Sequence, residues 1–363
     1  MSSLEMPSSI KTVFAVLIAW AVMPSSPSRP SYVDITWMSI ANMYYEIGNV
    51  GILTDGYFTR IPQDAFYGGG GGLAHTRMAY KPDVDAVSRV LDSLGGKQRI
   101  NLLLTGHSHF DHSFDTATWS RLTGARIIGS NTTCFQAMAE RVPADRCRAV
   151  YGGEKIDVAD GVTMRVIRWN HSGDTATNPE QHDPVELESV PHLDATTGGL
   201  RAGVAEDFPN GGGARAFLFT VDGAQGRFSW LFQDSASAAD LQMPIVIAGK
   251  NYGAPLNNLK AAMKNAGLDS VDLWIGTGGQ SVAKLVLPVL HPKAYLPVHW
   301  DGLYGVFERG VPRPYADAPL EDLLRMSGVN LIKPAQYMDK WRLDRSGIRP
   351  VENVAVQRAL GFH

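Results

Sequence analysis

Several classes of protein are excluded by what this chain lacks. Cysteine occurs only twice in 363 residues. Cys134 and Cys147 have no metal-site spacing, and a single pair is compatible with a reducing compartment or, as one disulfide, with an oxidising one. A large excess of charge of either sign is also lacking. A net charge of −3 and a pI near 6.4 give no field that would gather nucleic acid or an anionic membrane, which argues against a polyanionic macromolecular substrate. The longest apolar run, Thr12–Met23, is short of the about 20 residues a membrane span needs. No Gly-x-Ser-x-Gly elbow occurs, and the glycine run Gly68–Gly72 lacks the Gly-Lys-Ser/Thr ending of a phosphate-binding loop. No repeat of solenoid or propeller period is present.

Residues 1–31 read as an address followed by a linker. Lys11 precedes the apolar run, Glu5 offsets its charge, and Pro24-Ser25-Ser26-Pro27-Ser28-Arg29-Pro30 follows. The expectation is an exported protein, periplasmic or secreted, with an uncleaved membrane anchor as the alternative and a buried N-terminal helix as the plain structural reading. The remaining 32–363 carry no linker-like stretch and are read as a single domain, with a hydrophobic content of 44% to fill its core.

Within that domain, strand-like and helix-like patterns alternate as in an α/β fold. Apolar residues alternate from Ile35 to Tyr45, predicting one strand with a single buried face. Val50–Gly56 is a second strand, ending on Asp55. Val84, Val87, Val90, Leu91 and Leu94 have helical spacing, closed by Gly95-Gly96. Further strands are expected at Ile100–Thr105, Ala125–Ile128, Lys155–Val158, Val162–Ile167, Ala216–Val221, Arg227–Phe232, Val271–Ile275 and Ala294–Val298. Helices are expected after Asn131, read as a cap, and at Pro255–Ala266, Val282–Leu290 and Leu320–Met326. The glycine run is read as a mobile loop, and the polar, aperiodic stretch Thr175–Arg215 as a functional lid.

The most informative segment is His107-Ser108-His109-Phe110-Asp111-His112. It follows a buried strand and places three of the chain's ten histidines in six residues. Neutral imidazole and carboxylate are the ligands that divalent zinc, manganese or iron prefer, and this density can grip more than one ion. Three other strands end in candidate ligands: His171, Asp234 and His299. Distant segments build one site only if they converge, which neighbouring strands ending at one sheet edge do.

With this motif order the sequence resembles the metallo-β-lactamase superfamily. The match is His-x-His-x-Asp-His after a strand, a later histidine, an aspartate after a hydrophobic strand and a last histidine, over roughly Ile35 to Asp301. Gly278-Gly279, Pro292-Lys293-Ala294 and Pro297-Val298-His299 look most like the branch of ascorbate-phosphate lactonase-like and N-acyl phosphatidylethanolamine phospholipase D-like hydrolases. The resemblance implies a four-layer αββα sandwich carrying two Zn2+, with Mn2+ or Fe2+ as alternatives. His107, His109 and His171 would hold the first ion, and Asp111, His112 and His299 the second. Asp234 would bridge them, and Asp55 would support the site without ligating. His192 is the alternative to His171, with His182 also nearby.

The implied function is hydrolysis of an ester, lactone, amide or phosphodiester bond in a small molecule. Two cations about 3.5–4 Å apart share a water and lower its pKa, and Asp111 helps to orient the resulting hydroxide. True β-lactamase activity is less expected from the length and the Pro297–Asp301 ending. A di-iron redox role and non-catalytic metal binding are the alternatives; the di-iron members usually have a carboxylate where this chain has His109. Substrate choice is expected to rest on the glycine run, on the Thr175–Arg215 stretch with His182, His192, Asp194 and Arg201, and on Trp300 or Tyr304.

Overall fold

The computed structural model describes residues 29–63, 79–171, 185–201 and 209–362. The expected leader, the glycine run, His182 and much of the polar stretch therefore lie outside the described residues. The strands in chain order are β1 (Tyr32–Trp37), β2 (Met43–Ile47), β3 (Val50–Thr54), β4 (Ala79–Tyr80), β5 (Leu102–Leu104), β6 (Arg126–Gly129), β7 (Cys147–Ala149), β8 (Lys155–Ala159), β9 (Val162–Arg168) and β10 (Leu200–Arg201). There follow β11 (Arg215–Gly223), β12 (Gly226–Phe232), β13 (Val246–Ile247), β14 (Lys250–Asn251), β15 (Leu273–Gly276), β16 (Ala294–Pro297), β17 (Asn330–Leu331), β18 (Lys340–Asp344) and β19 (Gly347–Val351).

Two large mixed sheets face each other. One has the order β19-β18-β1-β2-β3-β5-β6-β7, the other β17-β16-β15-β12-β11-β9-β8. Alternation along β11 shows how the layers are held. Phe217, Phe219 and Val221 point into the cluster shared with the first sheet, where Phe219 and Trp230 meet Tyr45. Ala216 and Leu218 point the other way, into a second cluster with Leu259, Met263, Val286 and Leu324 from helices Pro255–Ala266, Gly279–Leu290 and Ala318–Met326. Each such aromatic or aliphatic side chain removed from water contributes about 1.5–3 kcal/mol. Helices Val84–Ser93, Thr116–Thr123 and Asn131–Ala139 accompany the first sheet, and Val87, Val90, Ala117, Trp119 and Ala137 join its core. The layers run helix, sheet, sheet, helix.

Local chemistry explains the boundaries. Asp83 Oδ1 accepts from Ala86 N–H to start helix Val84–Ser93. Pro255 sits in the first turn of its helix, which ends on left-handed Gly267. Two expectations are corrected. Ile35–Tyr45 is not one strand but the hairpin arms β1 and β2, because Ser39 and Ile40 take positive φ and the Ile40 N–H is held by the Asp301 carboxylate. Both faces of this segment are buried, so its alternation carried no register information. The cap of helix Asn131–Ala139 is Ser130, whose Oγ accepts from Thr133 N–H; Asn131 is the first helical residue.

Cys134 on that helix and Cys147 on β7 form a disulfide.

Strand direction is what positions the site. β3, β5, β6 and β7 run parallel. In the other sheet β11 is antiparallel to both β9 and β12, so those two run the same way, and β12, β15 and β16 are parallel. The C-terminal ends of β9, β12 and β16 therefore share one edge.

Candidate metal centre

Each expected ligand follows the end of one of these strands. β5 leads through Thr105-Gly106 to His107, β9 through Trp169-Asn170 to His171, β12 through Gln233 to Asp234, and β16 through Val298 to His299. β3 leads directly to Asp55. Two of the positive-φ non-glycine residues lie here. Asp55 and His299 both take left-handed φ, 58° and 66°, a conformation that non-glycine residues adopt at a cost and that persists only when surrounding bonds fix it. For His299 the fixing bond runs from its N–H to Ile40 O (2.9 Å), while neighbouring Asp301 accepts from Ile40 N–H and from Tyr337 O–H (2.8 Å).

The side chains converge in three overlapping groups: His107, His109 and His171; Asp111, His112 and His299; and His107, His112 and Asp234. Within each group the potential ligand atoms lie within 4.8 Å of one another. Asp234 thus shares one histidine with each triad and sits between them. Its Oδ2 is 2.8 Å from His107 Nδ1 and 3.3 Å from His112 Nδ1. Asp111 Oδ2 lies 3.0 Å from both His112 Nε2 and His299 Nε2. Asp55 Oδ2 meets His112 Nδ1 at 2.8 Å, and its Oδ1 accepts Gly106 N–H at 3.0 Å, so it orients the ring and leaves Nε2 facing the second triad. The His299 side chain is 26% exposed whereas the other groups are buried, which makes His299 the open side of the cluster.

Two glycines allow this packing. A Cβ on Gly106 would lie 2.1 Å from Asp234 Oδ2, and one on Gly211 would lie 2.5 Å from His107 Cδ2. Gly211 also donates its N–H to His109 Nε2 (3.0 Å) and accepts from Ser108 N–H through its carbonyl. Sequence reading passed over both glycines. The signal available for Gly106 was a glycine immediately before the first histidine, where a side chain would otherwise fill the floor of the site.

Electrostatics divides the histidines. Burial, with the neighbouring imidazoles adding to it, depresses the pKa of His107 and brings His109 and His171 well below the usual histidine range. These rings stay neutral, the form of imidazole that can coordinate a cation. Burial also opposes charge on His112, but Asp111, Asp55 and Asp234 outweigh it and hold the group well above its ordinary value. Burial raises Asp111 and Asp234, yet His112 and His107 respectively lead the opposing pull and both end below the usual carboxylate range. Asp55 goes the other way, pushed up by burial and by the Asp234 charge.

The donor set fits divalent cations. It consists of imidazole nitrogen and carboxylate oxygen, and two of its atoms, His171 Nδ1 and Asp234 Oδ1, are buried with no hydrogen-bond partner. His192 is exposed and belongs to none of the groups, so of the two alternatives the structure brings His171 to the cluster. Asp194 holds a turn, accepting from Thr196 and Thr197 N–H. Trp300 packs on Trp37 and Tyr315, and Tyr304 stacks on Phe110. Arg201 ends up in β10, paired with Ala79 of β4.

No family model matches the chain, and no curated protein matches it. Among solved structures it is similar to a metallo hydrolase from the archaeon Ignicoccus hospitalis, at 12% identity and TM-score 0.49 over 86% of this chain and 99% of that one. It is also similar to the metallo-β-lactamase fold protein YhfI from Bacillus subtilis, at 9% identity and TM-score 0.44 over 86% and 99%. A third is the di-iron β-hydroxylase CmlA from Streptomyces venezuelae, at 13% identity and TM-score 0.46 over 88% of this chain and 55% of that one. Likeness this remote leaves the argument to the chain itself. Two facing mixed sheets between helical layers carry the His-x-His-x-Asp-His segment after one sheet's strand and the later ligands after strands of the other. The described residues form the expected four-layer αββα sandwich, and the candidate ligand cluster lies where the loops after β5 of one sheet meet those after β9, β12 and β16 of the other.

Proposed function

We propose that the protein is a metal-dependent hydrolase of a small-molecule ester, lactone, amide or phosphodiester, working with a dinuclear zinc centre. The observation that carries this reading is the position of Asp234 between two triads, sharing His107 with one and His112 with the other. One ion alone would engage only one of the two triads with Asp234.

His107, His109 and His171 would hold the first cation, Asp111, His112 and His299 the second, and Asp234 both. Such a pair, when bound, supplies Lewis-acid polarisation of the scissile group and acidification of a water. The protein's own contributions follow from the geometry. Asp111 lies 3.0 Å from His299 on the open side and is the group placed to orient an attacking water towards an incoming substrate. Asp55 fixes the His112 ring, and the strained His299 backbone, tied to Ile40, presents its imidazole at the entrance. Burial keeps His107, His109 and His171 neutral beside the charged Asp234.

Export is proposed for the N-terminal address, with small molecules as partners and no nucleic acid. The Cys134–Cys147 disulfide supports an oxidising compartment.

A screen of the purified full chain against esters, lactones, amides and phosphodiesters, before and after chelation, tests the activity. The expected result is turnover that is lost with chelator and restored by zinc. A fully metallated protein inert across the whole panel would reject hydrolysis and leave a binding role.

A further inference from the structure

A cavity of about 430 Å³ lies away from the metal centre, walled by Tyr151, Lys155, Arg165, Arg168, Tyr252 and Asn258. None of the described residues lining it is acidic or a candidate metal ligand. Its chemistry is that of binding.

Charge counting at its wall does not close. Arg168 and Arg215 are both buried, at 2% and 0% exposure, and share a single carboxylate, Glu186. Glu186 Oε1 accepts from Arg168 Nη1 at 2.5 Å and from Arg215 Nη2 at 2.7 Å, and its Oε2 takes the Asn131 N–H. Arg215 is satisfied: its Nε and Nη1 donate to Val150 O and Ala214 O. Arg168 is not. Its Nε and Nη2 are buried with no partner. Those two N–H groups lie on one edge of the guanidinium and form the fork that grips a carboxylate or phosphate with two parallel bonds. Among the described residues this group therefore holds two buried cations against one buried anion, with the free fork on a residue that lines a cavity.

The surroundings extend the same chemistry. Lys155 and Arg165 add positive charge, and the adjacent carboxylate of Glu154 is occupied by Tyr151 and Gly152 N–H groups. The Arg168 guanidinium lies 4.9 Å over the Tyr252 ring, so the fork sits beside an aromatic wall, with Tyr151 as another.

We propose that this cavity is a second, non-catalytic site for a small organic oxyanion. Its carboxylate or phosphate would sit on the Arg168 Nε/Nη2 fork beside Lys155 and Arg165, and its apolar or planar body against Tyr252 and Tyr151. The site is independent of the metal assignment. It is nevertheless tied to the centre through Trp169, which follows Arg168 and donates its ring N–H to Ser235 O next to Asp234.

Calorimetric titration of the as-purified full chain with benzoate, phenyl phosphate and neutral benzyl alcohol tests this. One or both anions should bind saturably in the millimolar range or tighter and the alcohol should not; which anion binds more tightly identifies the headgroup. Arg168→Met should weaken binding by about 10- to 100-fold, the value of a charged hydrogen-bond pair. Because Arg168→Met touches a buried ion group, Lys155→Gln and Tyr252→Leu serve as milder variants, each weakening binding several-fold. No saturable binding of either anion overturns the proposal. So does anion binding that all three variants leave unchanged, since the anion then sits elsewhere.

Discussion

Replacing Gly106 by alanine tests the geometry of the metal centre without touching any ligand. A Cβ at this position would lie 2.1 Å from Asp234 Oδ2, 2.3 Å from Cγ and 2.6 Å from Oδ1, where contacts under 3.0 Å force something to shift. The new methyl cannot turn away, because a Cβ has no rotamer. Either the Asp234 carboxylate retreats by about 1 Å or the end of β5 does, and overpacking of this kind costs about 1–3 kcal/mol. A displacement that size takes Asp234 out of its position between the triads. Metal affinity should fall by about 10- to 100-fold, the scale seen when groups supporting ligands are lost. The control is Gly305→Ala, where a Cβ would meet open space. Competition with a chromogenic chelator gives the affinity, and denaturant unfolding gives the stability. If Gly106→Ala holds metal and unfolds like Gly305→Ala, the placement of Asp234 against the floor of the site is wrong.

Three other outcomes follow from the structure. Asp55→Asn should reduce metal affinity or turnover by about 10- to 100-fold while the fold is retained, since it frees the His112 ring; wild-type affinity and turnover in this variant would remove Asp55 from the site. Glu140, buried near Arg121, has its pKa raised by that burial from 4.5 to about 8. The folded protein keeps the proton over an interval in which the unfolded chain has released it, so stability is full below pH 4.5 and is lost as pH rises to about 8. Asp55 and Asp115 add slope of the same sign in this interval, so Glu140→Gln should reduce the slope by up to about 1.4 kcal/mol per pH unit, as read by urea unfolding; an unchanged slope would refute the assignment. Replacing Cys134 and Cys147 together by serine opens a closed loop with sequence separation 13 and should cost about 2–4 kcal/mol in denaturant unfolding, whereas equal stability of oxidised and serine proteins would show that the bond constrains little.

Much of this architecture was legible in the sequence because its signals are local. Pro255–Ala266 carries its own start and stop, and the histidine segment follows an apolar run that can only be a buried strand. The later candidate ligands, His171, Asp234 and His299, stood out because each closely follows a hydrophobic strand. What escaped depends on partners distant in sequence. The break at Ser39-Ile40 is enforced by Asp301, whose carboxylate holds the Ile40 N–H. Glu186, in a polar aperiodic stretch, is buried against Arg168, Arg215 and the Asn131 N–H, all distant in sequence. Gly106 and Gly211 matter for the side chains they leave room for, Asp234 and His107, and no local period encodes that.

The most direct test of a two-ion centre is metal analysis of the purified full chain with its variants. About two divalent ions per chain are expected, with about one lost in His107→Ala, one in His299→Ala, and the pair destabilised in Asp234→Ala. Less than one ion per chain, unaffected by any of the three changes, would contradict the account.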